Sequence, residues 1–262
     1  MTKALGNKEL WLSALRADGA ATRTAFEEAA AGPAGLSAAV PPCPDWQVRD
    51  LAFHLGRLYR WVRSHASRGT TDRPDTGERS ADLPVEVPPD EALIEWWGGE
   101  LSQLMAMLEA LDPALPAWHW APAPKLAGFW HRRMAHETAI HRWDAQVAVG
   151  QVEPIEARLA VDGVAEVLDS WLPAGRRKGP ADLSGVVQLS ATDTEHEWFV
   201  RLRGEGVALL DTNTWLDHDD HHTRVLARGT GSDLVLALYG RVPFDVLETS
   251  GDVSLLAALR TG

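Results

Sequence analysis

Twelve residues near the middle of the chain, MAHETAIHRWDA (134–145), place two histidines, a glutamate and an aspartate within nine positions. The pattern is close to the metalloprotease signature H-E-x-x-H. It does not match, because after His136 and Glu137 the next histidine is His141, one position too late. On an α-helix each residue turns by about 100°. Glu137 and His141, four apart, therefore project from one face, and Asp144, Trp130 and Arg133 fall on it as well. His136 points instead toward the side that carries Ile140, Trp143 and Val147. The shared face offers one imidazole and two carboxylates, bordered by an arginine and large apolar groups.

Two ligands on one helix leave a metal ion short of partners. A catalytic zinc usually takes three protein ligands and keeps one position open. The third ligand must come from another helix, and WQVRDLAFHLGRLYRWVRSHA (46–66) supplies a histidine. Its apolar stripe is Val48, Leu51, Ala52, Leu55, Leu58, Tyr59 and Val62. His54 sits just off the edge of that stripe, where a side chain can turn into a bundle interior beside the core. His54, Glu137 and His141 would form a His2Glu set, a known catalytic zinc composition. E-x-x-x-H pairs also recur on many helices as surface charge pairs, so spacing alone leaves a metal site and a polar helix face both open.

The elements that must hold these residues can be read along the chain. The first 150 residues read as helical. ELWLSALRADGAATRTAFEEAA has helical apolar spacing, and a Pro- and Gly-rich loop follows it. Asp45 is an N-cap candidate for the helix that carries His54. A third helix covers EALIEWWGGELSQLMAMLEALD, and a fourth runs from about Phe129 to Val149. Four helices with long connections suggest an up-down bundle. After GQVEP the pattern changes. IEARLAVDGVAEVLDSWLP reads as a helix, and GVVQLSAT, EWFVRLRG, VALLDT and TRVLARG read as strands. GSDLVLALYG and DVSLLAALR read as short helices, with Ser232 or Asp233 capping the first. The expected fold class is therefore two-domain α+β: an up-down four-helix domain over 1–152 and a small α+β domain with an antiparallel sheet over 153–262.

Composition limits the function. The 262 residues carry a formal net charge of -12, with no visible basic patch, so nucleic acid and anionic membranes are not expected partners. No run of 18 apolar residues exists, and the N-terminus lacks an apolar signal region, so a cytoplasmic protein is expected. The single cysteine, Cys43, rules out an internal disulfide and a Cys-rich zinc site. The 12 tryptophans, against 2 Tyr and 5 Phe, read first as core side chains. The excess of 21 Arg over 4 Lys, with much Ala, suggests a high-GC genome.

PPCPDWQVRDLAFHLGRLYRWV, followed later by FWHRRMAHETAIHRWDA, resembles the maleylpyruvate isomerase family of mycothiol-dependent enzymes. The resemblance implies a DinB-like four-helix N-terminal domain holding a divalent metal, usually zinc, through His54, Glu137 and His141. It also implies a role for Asp144 near the metal and the thiol cofactor. The second half, chiefly GTGSDLVLALYGRVP, is similar to the family's small α+β domain, which is akin to sterol-carrier proteins. In the family an arginine from that domain reaches the cleft, and Arg241 is the match by position. Arg241 reads equally well as a helix C-terminal residue that neutralises the macrodipole.

The implied function is isomerisation or S-transfer with mycothiol, on a small anionic electrophile. A free thiol is mostly protonated at pH 7, and the thiolate is the nucleophile. A metal with an open position would bind the sulfur and remove its proton. In the isomerase reaction the thiolate adds to an activated double bond, allows rotation and leaves. Asp144 could orient His141 through its second ring nitrogen or bind the cofactor. Arg133 and Arg241 are candidate carboxylate binders, because a guanidinium grips a carboxylate bidentately. Trp130 and Trp143 could meet a sugar, although a core role explains both. The chain is expected to act as a monomer or homodimer.

Two further readings remain. The metal could activate water for hydrolysis without a thiol, with Asp144 as general base. Alternatively, the bundle could be the scaffold of a binding or regulatory protein. Two other features look chemical. WLDHDDHHTRV (215–225) holds Asp217, His218, Asp219, Asp220, His221 and His222, but consecutive residues in a loop or strand point different ways, so a solvated turn is expected. Cys43 lies between prolines with only Arg49 near it in sequence, and a packing role is expected.

Overall fold

The computed structural model describes residues 3–74, 86–204, 206–210 and 223–262. These form two compact units. One comprises residues 1–119 and 124–153, and the other residues 120–123 and 154–262. The HDD cluster at 217–222 lies outside the described residues.

The first unit is a four-helix bundle: α1 (Lys3–Ala31), α2 (Val48–Ala66), α3 (Asp90–Ala110) and α4 (Gly128–Val149). The amphipathic pattern of α2 lays Val48, Leu51, Ala52, Leu55, Tyr59 and Val62 into the core, while Leu58 is half-buried. On α4, burial extends around nearly the whole helix, so this is the central element of the bundle. α1 packs along it through Trp11, Leu15 and Phe26, and the edge of Phe26 meets Trp97 of α3 at 5.1 Å. Buried Arg142 ties α4 to α1 through Asp18 at 3.1 Å and to the chain beyond the helix through the Glu153 carbonyl at 2.6 Å. Gly56 lets α2 approach α3 closely, because a Cβ there would run into the Trp96 ring. Gly150, at φ 73°, ends α4 in the left-handed conformation that glycine adopts without strain.

Asp45 is not the N-cap of α2. Its φ of 68° is left-handed, whereas an N-cap residue needs extended backbone. The helix starts at Val48 instead, and the Asp50 carboxylate accepts the Gln47 backbone N–H at 2.9 Å.

The second unit is a five-stranded sheet with helices. The strands are β1 (Ser184–Ala191), β2 (Glu197–Arg203), β3 (Gly206–Leu210), β4 (Arg224–Gly229) and β5 (Glu248–Gly251), in the order β3-β2-β1-β4-β5. Three of the four pairings are antiparallel. β1 and β4 run parallel, with Val187 opposite Val225. Residues 155–173 do not form one uniform helix: α5 (Ala157–Glu166) passes into a π-helical turn at Val167–Trp171. α6 (Gly231–Leu238) is capped by Thr230 rather than by Ser232 or Asp233. The Thr230 hydroxyl oxygen accepts the Asp233 N–H at 3.1 Å, while Ser232 Oγ takes the Ile155 N–H at 3.0 Å. The stretch 253–259 is a 3-10 helix.

Among the described residues, no helix is long and apolar enough to cross a membrane.

Candidate functional site

The first unit gathers His54 from α2 with Glu137 and His141 from α4, their ligand atoms all within 4.8 Å of one another. His54 Nε2 and His141 Nε2 each lie 3.4 Å from the same oxygen, Glu137 Oε1. Ligands about 2.05 Å from a tetrahedral ion stand about 3.3 Å apart, so the donor set fits a zinc-sized cation. The three groups differ in access. The His54 side chain is 38% exposed, Glu137 16% and His141 8%.

The remaining hydrogen bonds aim these donors. His141 Nδ1 lies 2.8 Å from Asp144 Oδ2. A proton held on Nδ1 by the carboxylate would leave Nε2, the nitrogen beside Glu137 and His54, as the one to take an ion. Arg133, buried one turn before Glu137, donates to Glu137 Oε2. The carboxylate gripped by Arg133 is thus one on its own helix. Burial alone would raise the Glu137 carboxyl. The Arg133 guanidinium and the hydrogen bonds from His141 and His54 outweigh it and hold the group well below the usual carboxylate range. Burial would lower His141, but hydrogen bonds to Asp144, Cys43 and Glu137 carry it well above the usual imidazole value. Asp144 has no exposed surface.

Trp46 and Cys43 complete the surroundings, and the sequence reading did not place either of them there. Both come from the turn before α2, where no helical spacing rule applies. The Trp46 ring is 5.0 Å from that of His54 and lies stacked 6.2 Å from that of His141. The Cys43 thiol donates to Asp144 Oδ2 at 3.4 Å across 101 residues of sequence. The aromatic next to the prolines in PPCPDW was the one visible signal.

His54 also lines a groove of about 630 Å³ on the first unit. Its walls include Trp46, Phe53, Leu58 and Trp61. Its charged groups are Asp45, Asp50 and Arg57, with the Arg57 guanidinium 5.4 Å over the Phe53 ring.

Residues read as lying off the site, or as core side chains, are found so. His136 is buried outside the cluster, and Trp130 and Trp143 are core residues at 1% and 8% exposure. Trp130 Nε1 donates to the Trp118 carbonyl at 2.8 Å. Arg241 belongs to the second unit, just past α6, and its guanidinium donates to the Tyr239 carbonyl at 3.1 Å. That bond satisfies a carbonyl at the helix C-terminus, as a macrodipole partner would.

Comparison with known proteins supports the same assignment of the bundle. Residues 10–146 match the mycothiol maleylpyruvate isomerase N-terminal domain, and residues 158–258 match the C-terminal domain of the same family. Crystal structures of the mycothiol-dependent maleylpyruvate isomerase, and of a histidine-to-alanine variant of it, share the fold. Their TM-scores are 0.59 and 0.57 at 14% identity, covering 95% of this chain and 96% of theirs. No curated protein gives a significant match to the sequence. With both halves matched in order, the chain belongs to the mycothiol maleylpyruvate isomerase family.

Proposed function

We propose that the protein is a metal-dependent enzyme that uses a low-molecular-weight thiol, mycothiol, to isomerise a small anionic electrophile or to transfer the thiol sulfur onto it. The observation that carries this reading is the convergence of His54 Nε2 and His141 Nε2 on Glu137 Oε1, each at 3.4 Å, in a chain of this family. Zinc, held by two neutral imidazoles and one carboxylate, would keep a net positive charge that favours a bound thiolate over the thiol.

The chain's own residues have separate tasks. Arg133 occupies one oxygen of Glu137, keeps the carboxylate ionised and leaves Oε1 facing the histidines. Asp144 fixes the tautomer of His141. Trp46 covers the two imidazole rings and limits their rotation. His54, the most exposed of the three donors, opens the set toward the groove. Within that groove Arg57 is the group that would take a substrate carboxylate, and Phe53 and Trp61 would meet the apolar part. Arg241 enters only through the family, as a second carboxylate binder.

Hydrolysis without a thiol is less well supported. Its general base would be Asp144, which has no exposed surface and whose Oδ2 already takes the His141 and Cys43 protons. A purely regulatory role leaves the spacing of the three donors without a purpose.

The test is elemental analysis of tag-free protein beside His54→Ala and His141→Ala, followed by a thiol-dependence screen. About one divalent ion per chain, lost in both variants, with turnover only when thiol is added, is the expected result. No metal in the reconstituted wild type would overturn the reading. Thiol found in the product would mark S-transfer, and thiol recovered unchanged would mark isomerisation.

A further inference from the structure

His141 is approached from two sides. Its Nε2 faces Glu137 and its Nδ1 faces Asp144. On the Asp144 side stands Cys43, and the ligand atoms of Cys43, His141 and Asp144 also lie within 4.8 Å of one another. This second cluster is poorly suited to a metal, because the imidazole nitrogen that faces it is engaged at 2.8 Å with a carboxylate. It is well suited to orientation. Asp144 Oδ2 receives a hydrogen bond from His141 Nδ1 and another from Cys43 Sγ at 3.4 Å, so two donors converge on one oxygen of a carboxylate that has no exposed surface.

The turn that carries Cys43 is built tightly. Val40 N–H donates to the Trp46 carbonyl at 2.9 Å, Cys43 N–H to the Val40 carbonyl at 2.9 Å, and Trp46 N–H to the Cys43 carbonyl at 3.0 Å. Closing it places Asp45 at φ 68°, a left-handed conformation that aspartate tolerates better than most non-glycine residues. The same closed turn puts the Cys43 thiol on Asp144 and the Trp46 ring over His54 and His141. Both side chains act on ligand histidines without reaching the position of the ion.

We propose that Cys43 is a positioning residue: its thiol pins the Asp144 carboxylate, which in turn holds His141 in the orientation and tautomer that bind the metal. The inference rests on the metal reading above. It gives the chain's single cysteine a task beyond packing and distinct from nucleophilic attack.

The test measures metal dissociation constants by chelator competition for wild type, Cys43→Ser, Cys43→Ala, Asp144→Asn and the Cys43→Ala/Asp144→Asn double variant. Thermal unfolding of each metal-free form accompanies the series. Outer hydrogen-bond partners of metal ligands typically contribute about 10–100-fold in affinity, and Cys43 stands one bond further out. Cys43→Ala should therefore weaken binding about fivefold to tenfold. Cys43→Ser, which keeps a donor, should stay within about twofold of wild type. In the Asp144→Asn background the cysteine substitution should add clearly less than it does alone, because its contact with the Asp144 carboxylate is already lost and only its approach to His141 remains. Wild-type affinity in Cys43→Ala overturns the inference. So does a serine variant as weak as the alanine one, and so does a full additive effect in the double variant. An effect tracked by an equal loss of metal-free stability in both cysteine variants also overturns it, in favour of packing. Absence of metal from the reconstituted wild type is a separate outcome, which removes the metal reading itself.

Discussion

Arg133 holds Glu137 by one oxygen. The guanidinium sits on Oε2, one helical turn away, while Oε1 faces His54 and His141 at 3.4 Å each. The pair divides the carboxylate between a structural contact and a ligand contact. Arg133 is buried, and Glu137 carries an opposite charge against it.

Glu137→Gln should therefore do two things. Metal occupancy should fall at least tenfold, because an amide oxygen is a weaker donor than a carboxylate. The metal-free protein should also lose about 3 kcal/mol, because a buried ion pair is broken by neutralising one member. Urea denaturation of metal-free wild type and variant reads the second effect, and far-UV dichroism should show the helices intact. The Glu137 carboxyl lies below its ordinary value in the fold, so its contribution is present above that value and is lost as pH falls. The wild type should accordingly lose stability more steeply in acid than the variant.

Asp144→Asn keeps the shape of the side chain and removes its charge. His141 then lacks an anionic acceptor for its Nδ1 proton, and metal affinity should fall by about 10–100-fold. Chelator competition measures it. Unchanged affinity would show that His141 needs no orienting carboxylate.

Tyr59 and Thr138 share a buried hydrogen bond of 2.7 Å between α2 and α4, one residue from Glu137. Burial, the largest effect on the Tyr59 phenol, pushes its pKa upward, so it stays neutral. Tyr59→Phe should cost about 1 kcal/mol, and Thr138→Val about the same. The double variant should cost less than the sum, because neither polar atom is then stranded. A double-mutant cycle in urea decides it.

His119 is buried against Phe129, with ring centroids 4.1 Å apart, and Nε2 lies 2.9 Å from the Pro124 carbonyl. Burial, helped by the Lys125 charge, pushes its pKa down to about 4. A depressed imidazole is neutral in the fold, while the unfolded chain takes up a proton below about pH 6.5. Its contribution is thus complete above that pH and is lost as pH falls toward 4. Melting temperature should drop by a few degrees across this window, and His119→Gln should flatten the slope. An equal slope in the variant would assign the acid sensitivity elsewhere.

Helical spacing on α4 and the apolar stripe on α2 made His54, Glu137 and His141 candidates for one set, because a helix converts sequence spacing into direction, and the family resemblance chose that set over a polar helix face. No such rule covers PPCPDW. There the side-chain directions of Cys43 and Trp46 follow from a closed turn and a left-handed Asp45, and a proline-rich string does not announce them. The same turn moved the start of α2 to Val48 and displaced Asp45 from the cap. In the second unit, apolar alternation marked β1 to β4. β5 has the sequence ETSG, exposed throughout at the sheet edge, and offers no alternation to read. The parallel pairing of β1 with β4 lies equally beyond a local pattern, since it joins strands separated by two others in sequence.

Residues 120–123 belong to the second unit, although the chain on both sides of them belongs to the first. There Trp120 meets Trp171 at 5.0 Å and carries the Arg176 guanidinium 4.2 Å over its ring. A single cut near residue 153 therefore does not separate the units cleanly. It removes from the C-terminal fragment the half-buried aromatic ring that Trp171 and Arg176 pack against, and it leaves that ring on the N-terminal fragment. Gene fusions or recombination events that join these halves at one crossover would inherit the same mismatch.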